Sequence, residues 1–190
     1  MKICGENKNQ MKLINTSIQD LIIIQPDVFS DERGYFYESF QKKQFQEIGI
    51  KADFVQDNES KSSRGVLRGL HFQNPPFAQG KLIRVVKGKV LDVAVDIRKQ
   101  SPTYGKWESV ELSSDNKLMI WVPEGFAHGF LVLEDNTIFQ YKCTNYYNKA
   151  SEGSVLWNDP DLQIDWNFDN PILSEKDANA PLFKDLISLF

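Results

Sequence analysis

Alternation of apolar and polar residues, the period-two pattern of half-buried strands, dominates this chain. From Lys81 to Arg98 it reads KLIRVVKGKVLDVAVDIR, two β-rich runs joined around Lys87-Gly88-Lys89, which predicts a hairpin. In the second run Leu91, Val93, Val95 and Ile97 share one face, and Asp92, Ala94 and Asp96 share the other. Further strands are predicted in VLRGLHFQ (Val66 to Gln73), ESVEL, KLMIWV, GFLVLE and the aromatic-rich NTIFQYKCT (Asn136 to Thr144). Turn-rich stretches such as SPTYGKW and PEGFAH separate them. Helix signals are few. QKKQFQEIG puts Phe45 and Ile48 on one side and stops at Gly49, SEKD (Ser174 to Asp177) resembles a capping box, and Pro181 opens a last short helix. The expected fold is all-β: a jelly-roll barrel of antiparallel strands with a few short peripheral helices.

Composition narrows the class. The 190 residues are enough for one domain with a sizeable core, and 41% hydrophobic with 12% aromatic content argues against disorder. A net charge of −4 shows no basic stripe, so a nucleic-acid partner is not expected. The longest aliphatic run, Leu21 to Ile24, is too short to cross a bilayer, and no secretory leader is visible. Cys4 and Cys143 form no spacing motif, so no disulfide framework is implied. A cytoplasmic protein is expected, with residues 1–10 as a disordered extension, or Met11 as an alternative start, before a single domain over 11–190.

Some residues carry chemical interest on their own. An acid on a central strand costs free energy unless paired or wet, so Asp92 is a pocket candidate, while Asp96 reads equally well as part of a solvated face. His71 reads either as a packed core residue or as a general base, and a guanidinium such as Arg68 nearby favours the neutral imidazole that a base requires. Residues 68 and 71 would point to opposite faces of an ideal strand. Only a bulge, for which Gly69 is suited, brings them together. The two histidines, His71 and His128, form no metal-ligand spacing, so no metal is expected, although a two-histidine site with Asp92 stays open. No glycine-rich phosphate loop is present, so a phosphate would be held by discrete Arg and Lys side chains.

Several longer motifs follow one another in order: DERGYFYESF, FVQDNESKS, VLRGLHFQ, QGKLIRVV, LDVAVDIR, SPTYGKW, WVPEGFAHGF, YKCTNYY and LWNDP. In that order they resemble the dTDP-4-dehydrorhamnose 3,5-epimerase family over nearly everything from about Met11 to SEKDANAP. The resemblance implies a cupin-type barrel, a homodimer and a reaction without cofactor. That reaction inverts C3 and C5 of dTDP-4-dehydro-6-deoxy-glucose in dTDP-rhamnose biosynthesis by moving protons next to the C4 ketone.

By resemblance His71 is the base, Tyr141 the acid, Asp177 the orienting carboxylate and Lys81 the cation near the ketone oxygen. Substrate-binding positions carried over in the same way are Arg33, Glu38, Gln56, Asp57, Asn58, Arg68, His128, Glu152 and Lys176. Phe29 and Phe36 are placed to flank the thymine and Tyr146 to stack on it. Each has a plainer reading: Tyr141 as a core tyrosine with a satisfied hydroxyl, Arg33 with Glu38 as a surface ion pair. A relative inverting only C3 or only C5, a metal-dependent cupin enzyme, and a non-catalytic sugar-nucleotide binder are the alternatives.

Overall fold

The computed structural model describes residues 11–190. Cys4 and the expected extension lie outside the described residues. The strands are β1 (Lys12–Asn15), β2 (Ile22–Gln25), β3 (Phe29–Asp31), β4 (Gly34–Phe36), β5 (Gln56–Ser62), β6 (Leu67–Gln73) and β7 (Lys81–Lys87). They continue as β8 (Lys89–Asp96), β9 (Trp107–Ser113), β10 (Met119–Val122), β11 (Phe126–Val132), β12 (Thr137–Cys143) and β13 (Glu152–Ser154). Two short helices, α1 (Lys42–Glu47) and α2 (Glu175–Ala178), lie outside the sheets.

The strands form a six-stranded sheet, β1-β2-β10-β7-β12-β5, facing a five-stranded sheet, β13-β6-β11-β8-β9, with β3-β4 as a separate hairpin. Every strand pairing is antiparallel. This is the expected jelly roll of the cupin type. The alternation in β8 sorts its residues between two cores. Val90 and Ala94 point between the sheets to meet Ile83, Val85, Ile120 and Phe130. Val93, Val95 and Ile97 point the other way, beneath Val155, Leu162, Ile164 and Trp166 of the C-terminal segment. Each such fully buried side chain contributes roughly 1.5–3 kcal/mol. The apolar face of this strand is thus buried by the C-terminal wrap, and its polar face looks into the barrel.

One predicted element differs. The Lys87-Gly88-Lys89 turn does not close a hairpin, because β7 pairs with β10 and β12 while β8 pairs with β9 and β11. It carries the chain from one sheet to the other. Gly88 makes that corner at φ +80°, where a Cβ would sit 2.3 Å from Thr137 Oγ1. The helix signals fare better. Gln41 caps α1 by accepting from Gln44 N at 2.9 Å, Phe45 is buried against the outer face of the six-stranded sheet, and Gly49 ends the segment at φ +94°. After Pro181 there is only a 3₁₀ turn, Phe183–Asp185, whose first amide is held by buried Asp159 at 2.7 Å.

Asp96 is fully buried rather than solvated. Its carboxylate accepts from Arg98, Ser101 and Thr103, so it ties the loop after β8. Burial pushes this acid upward, but those hydrogen bonds outweigh it and bring the pKa down to about 2.

Candidate active site

The pairing of β6 with β11 settles how Arg68 and His71 relate. His71 stands opposite His128 and Arg68 opposite Phe130, so three steps on β6 match two on β11. The extra residue is a bulge at Gly69 and Leu70, and it turns Arg68 and His71 into the same cavity. Gly69 has φ +135°, and a Cβ there would meet Gly129 Cα at 2.5 Å. A Cβ on Gly129 would in turn lie 2.8 Å from the Arg68 carbonyl. Two glycines let the strands approach closely where the bulge forms.

The cavity, about 260 Å³, lies between the sheets. Arg68, His71, His128 and Phe130 line it from the five-stranded sheet, and Asn58, Ser60, Lys81, Phe139 and Tyr141 from the six-stranded one. His71 and Tyr141 therefore stand on opposite walls. Phe130 and Phe139 stack at 3.8 Å and form the apolar part of the lining. Arg68 donates to Ser62 Oγ at 3.2 Å.

Behind His71, Asp177 Oδ1 lies 2.5 Å from Nε2. The capping box accounts for this placement. Ser174 Oγ accepts from Asp177 N at 3.1 Å and donates to Asp177 Oδ2 at 2.9 Å, so one hydroxyl starts α2 and aims the carboxylate. Burial raises the Asp177 pKa, but the hydrogen bond and charge of His71, the Ser174 hydroxyl and Lys176 together hold it below the ordinary carboxylate range. Lys176 pairs with Glu152 on β13 at 2.5 Å, which fastens α2 to the edge of the sheet. A second hollow of about 290 Å³ adjoins this pair, lined by Arg68, His71, Lys176 and Asp177 among others.

A further imidazole–carboxylate pair lies deeper. His128 Nε2 faces both oxygens of Asp92 at 3.0 Å, with His128 6% and Asp92 0% exposed. Burial lowers the His128 pKa against the pull of Asp92. Lys81, half-buried on β7, has one long hydrogen bond, 3.5 Å to the His71 carbonyl, and desolvation lowers its pKa. Tyr141 is pushed up, chiefly by burial. Its hydroxyl makes no hydrogen bond among the described residues, and none of their buried polar side-chain atoms is left unpaired. The hydroxyl is thus open to the cavity, unlike that of a satisfied core tyrosine.

The structure gathers His71, Asp177, Lys81, Tyr141, Arg68, Asn58, His128 and Asp92 at one place. Gln56 borders it, bonded to Asn58 Oδ1 at 3.1 Å. Tyr146 is exposed nearby, its carbonyl accepting from Gln73 at 3.1 Å. Others fall elsewhere. Strand alternation turns Asp57 to the outer face of the six-stranded sheet, where it pairs with Lys142 at 2.9 Å. Arg33, Phe29 and Phe36 sit on the β3-β4 hairpin and Glu38 just after it, none lining the cavity. Arg33 pairs with Asp31 at 2.5 Å, and Glu38 accepts from Gln44 at 2.9 Å, so the alternative Arg33–Glu38 ion pair is not formed. Ser60, Phe130 and Phe139 were not singled out as site residues, although Ser60 shares a face with Asn58, and Phe139 shares one with Tyr141. Among the described residues no group of three or more metal-ligating side chains is gathered.

An antiparallel jelly-roll barrel with a carboxylate-backed histidine and an open tyrosine on facing walls defines a cupin-type protein equipped for proton transfer. The comparisons narrow this further. The model of the dTDP-4-dehydrorhamnose 3,5-epimerase family matches residues 15–185, and this chain belongs to that family. The enzyme of that name from Shigella flexneri is 57% identical over 176 residues, covering 92% of this chain and 97% of that protein. The crystal structure of the Elizabethkingia anophelis enzyme is 57% identical, with a TM-score of 0.89, covering 93% of this chain and 98% of that one. The Legionella pneumophila dTDP-6-deoxy-D-glucose-3,5-epimerase, solved with dTDP-4-keto-L-rhamnose, is 53% identical with a TM-score of 0.90, covering 94% and 95%.

Proposed function

We propose that this protein inverts C3 and C5 of dTDP-4-dehydro-6-deoxy-glucose, giving dTDP-4-dehydro-rhamnose for dTDP-rhamnose biosynthesis. The observation that carries the reading is a single cavity with a carboxylate-backed imidazole on one wall and an open tyrosine hydroxyl on the other. The C4 ketone acidifies the hydrogens on C3 and C5. His71 removes one of them as general base, and the electron pair of the C–H bond moves to the C4 oxygen as an enolate. Asp177, held ionised, orients the ring and balances the imidazolium. The Lys81 ammonium, with donors to spare, stabilises the enolate oxygen. Tyr141 then donates its proton to the opposite face of the same carbon as the enolate collapses back to the ketone. His71 and Tyr141 reset by exchange with solvent, and the cycle repeats at the second carbon.

The remaining residues bind. Gln56, Asn58 and His128 contact the sugar, Arg68 and Lys176 take the diphosphate in the adjoining hollow, Glu152 sets Lys176, and Tyr146 stacks on the thymine. Arg33, Glu38, Phe29 and Phe36 do not reach the cavity of their own chain. The hairpin leaves Phe29, Tyr35 and Phe36 between 51% and 66% exposed, an apolar patch suited to a protein contact. The chain therefore acts as a homodimer in which the hairpin of one protomer completes the nucleotide clamp of the other. Its place is the cytoplasm, and among the described residues no helix is long and apolar enough to cross a membrane.

Incubation with the 4-keto sugar nucleotide in D2O, followed by NMR, tests the reading. Deuterium at both C3 and C5 with an inverted product is expected. Exchange at one carbon only would reduce the activity to a single inversion, and binding without exchange would make the protein a sugar-nucleotide binder.

A further inference from the structure

Asp92 is completely buried, yet no proton transfer in the reaction uses it. It lies diagonally across from His128 on the inner face of the five-stranded sheet, since Asp92 pairs with Phe130 and Ala94 with His128. One imidazole nitrogen spans both of its oxygens at 3.0 Å. Lys81 lines the same cavity as His128 from the other sheet, and its ammonium makes a single long hydrogen bond and no salt bridge among the described residues. An ammonium near a carboxylate ordinarily closes onto it, and a closed pair would take up a donor that an enolate oxygen could use.

We propose that Asp92 is a positioning residue for Lys81, a held-off counter-ion: its charge stabilises the ammonium, while His128, spanning both oxygens, keeps the two from closing. The inference rests on reading Lys81 as the group that meets the enolate.

The groups facing Lys81 narrow the source of that stabilisation. Tyr141 and Cys143 come from β12, Arg68 and His71 from β6, His128 from β11, Glu152 from β13 and Asp92 from β8. Burial lowers the Lys81 pKa, and Cys143, Asp92 and Glu152 oppose it. Cys143 is itself pushed up by burial, so it is a neutral thiol near neutral pH. Glu152 is taken by Lys176. Burial lowers the His128 pKa, and among the described residues no lysine or arginine forms an ion pair with Asp92.

The test is an NMR titration of Lys81 in the full-length protein without substrate, using isotope-labelled lysine and Lys81→Arg to assign the signal. Asp92→Asn is expected to lower the Lys81 midpoint by about one pH unit or more, with the alkaline limb of kcat/KM moving the same way. His128→Phe frees the carboxylate to close onto the ammonium, so the midpoint rises while turnover falls at least about tenfold. His128→Gln keeps an N–H donor and returns the midpoint toward the wild-type value. An unchanged midpoint in folded Asp92→Asn overturns the proposal. If that variant does not fold, a midpoint that fails to rise in His128→Phe does so. Absence of exchange activity in the wild-type enzyme would instead overturn the reading of the reaction, and the titration would stand apart from it.

Discussion

Two imidazole–carboxylate pairs lie on this barrel wall, and they differ in setting more than in chemistry. His71 is 31% exposed and touches one oxygen of Asp177, which arrives from α2 across 106 positions of sequence. His128 is 6% exposed and spans both oxygens of Asp92 on the adjacent strand β8. The rim pair has a ring face open to a ligand and a carboxylate whose aim depends on a hydroxyl and an ion pair. The deep pair is closed on itself. On the proposed mechanism, exposure separates the pair that moves protons from the pair that holds charge.

Substitutions can break this contrast, and the largest effect is expected at the bulge that aims the rim histidine. Gly69→Ala would force a Cβ against Gly129 at a φ that side chains rarely adopt, and should cost about 3 kcal/mol in chemical denaturation. His71→Ala should lower turnover at least about a hundredfold, while dTDP affinity measured by calorimetry changes little. Normal deuterium exchange in that variant would pass the role of base to another group. Asp177→Asn should cost roughly ten- to a hundredfold in turnover, because the ring keeps a neighbour but loses the charge that orients it.

The smallest effect sharpens the contrast from outside the cavity. Asp96 is as buried as Asp92 but is paired with Arg98, and its pKa falls from 3.8 to about 2. A carboxyl depressed on folding contributes stability that is present above its unfolded pKa and lost as pH falls through the folded one. Thermal denaturation between about pH 4 and pH 2 should therefore show a shallower loss in Asp96→Asn than in the wild type. An identical slope would mean that the network around Arg98 carries no charge-dependent stability.

Much of this was legible in the chain. Alternation in the residues of β8 and β12 marked the barrel, and the need for a bulge at Gly69 followed from the three-residue spacing of Arg68 and His71. Ser174 and Asp177 read as a helix cap, which they are, but no local pattern says that the capped carboxylate lands on a histidine from the far side of the sheet. β5 was invisible to pattern. Its residues, QDNESKS, carry no apolar face, because Asn58 and Ser60 line the cavity and Ser62 accepts from Arg68 instead of packing in a core. The motif around Gln56 and Asn58 flagged that strand where periodicity could not. Alternation also separates the motif's residues, since Asp57 between them faces outward. Gly88 misled for a related reason: a tight glycine turn between strands serves a sheet-to-sheet corner as well as a hairpin, and the difference lies in distant partners such as Thr137.

The central claim is that two groups on facing walls act on opposite faces of the sugar, and Tyr141→Phe in D2O tests it most directly. That variant keeps His71 and Lys81, so the enolate still forms, and the imidazolium returns a solvent-derived deuteron to the face it came from. NMR should show deuterium entering C3 and C5 while inverted product falls at least about tenfold. Loss of exchange and inversion together, in a variant that folds and binds dTDP, would make Tyr141 necessary for enolisation. Retention of both would contradict the account and return Tyr141 to the lining of the core.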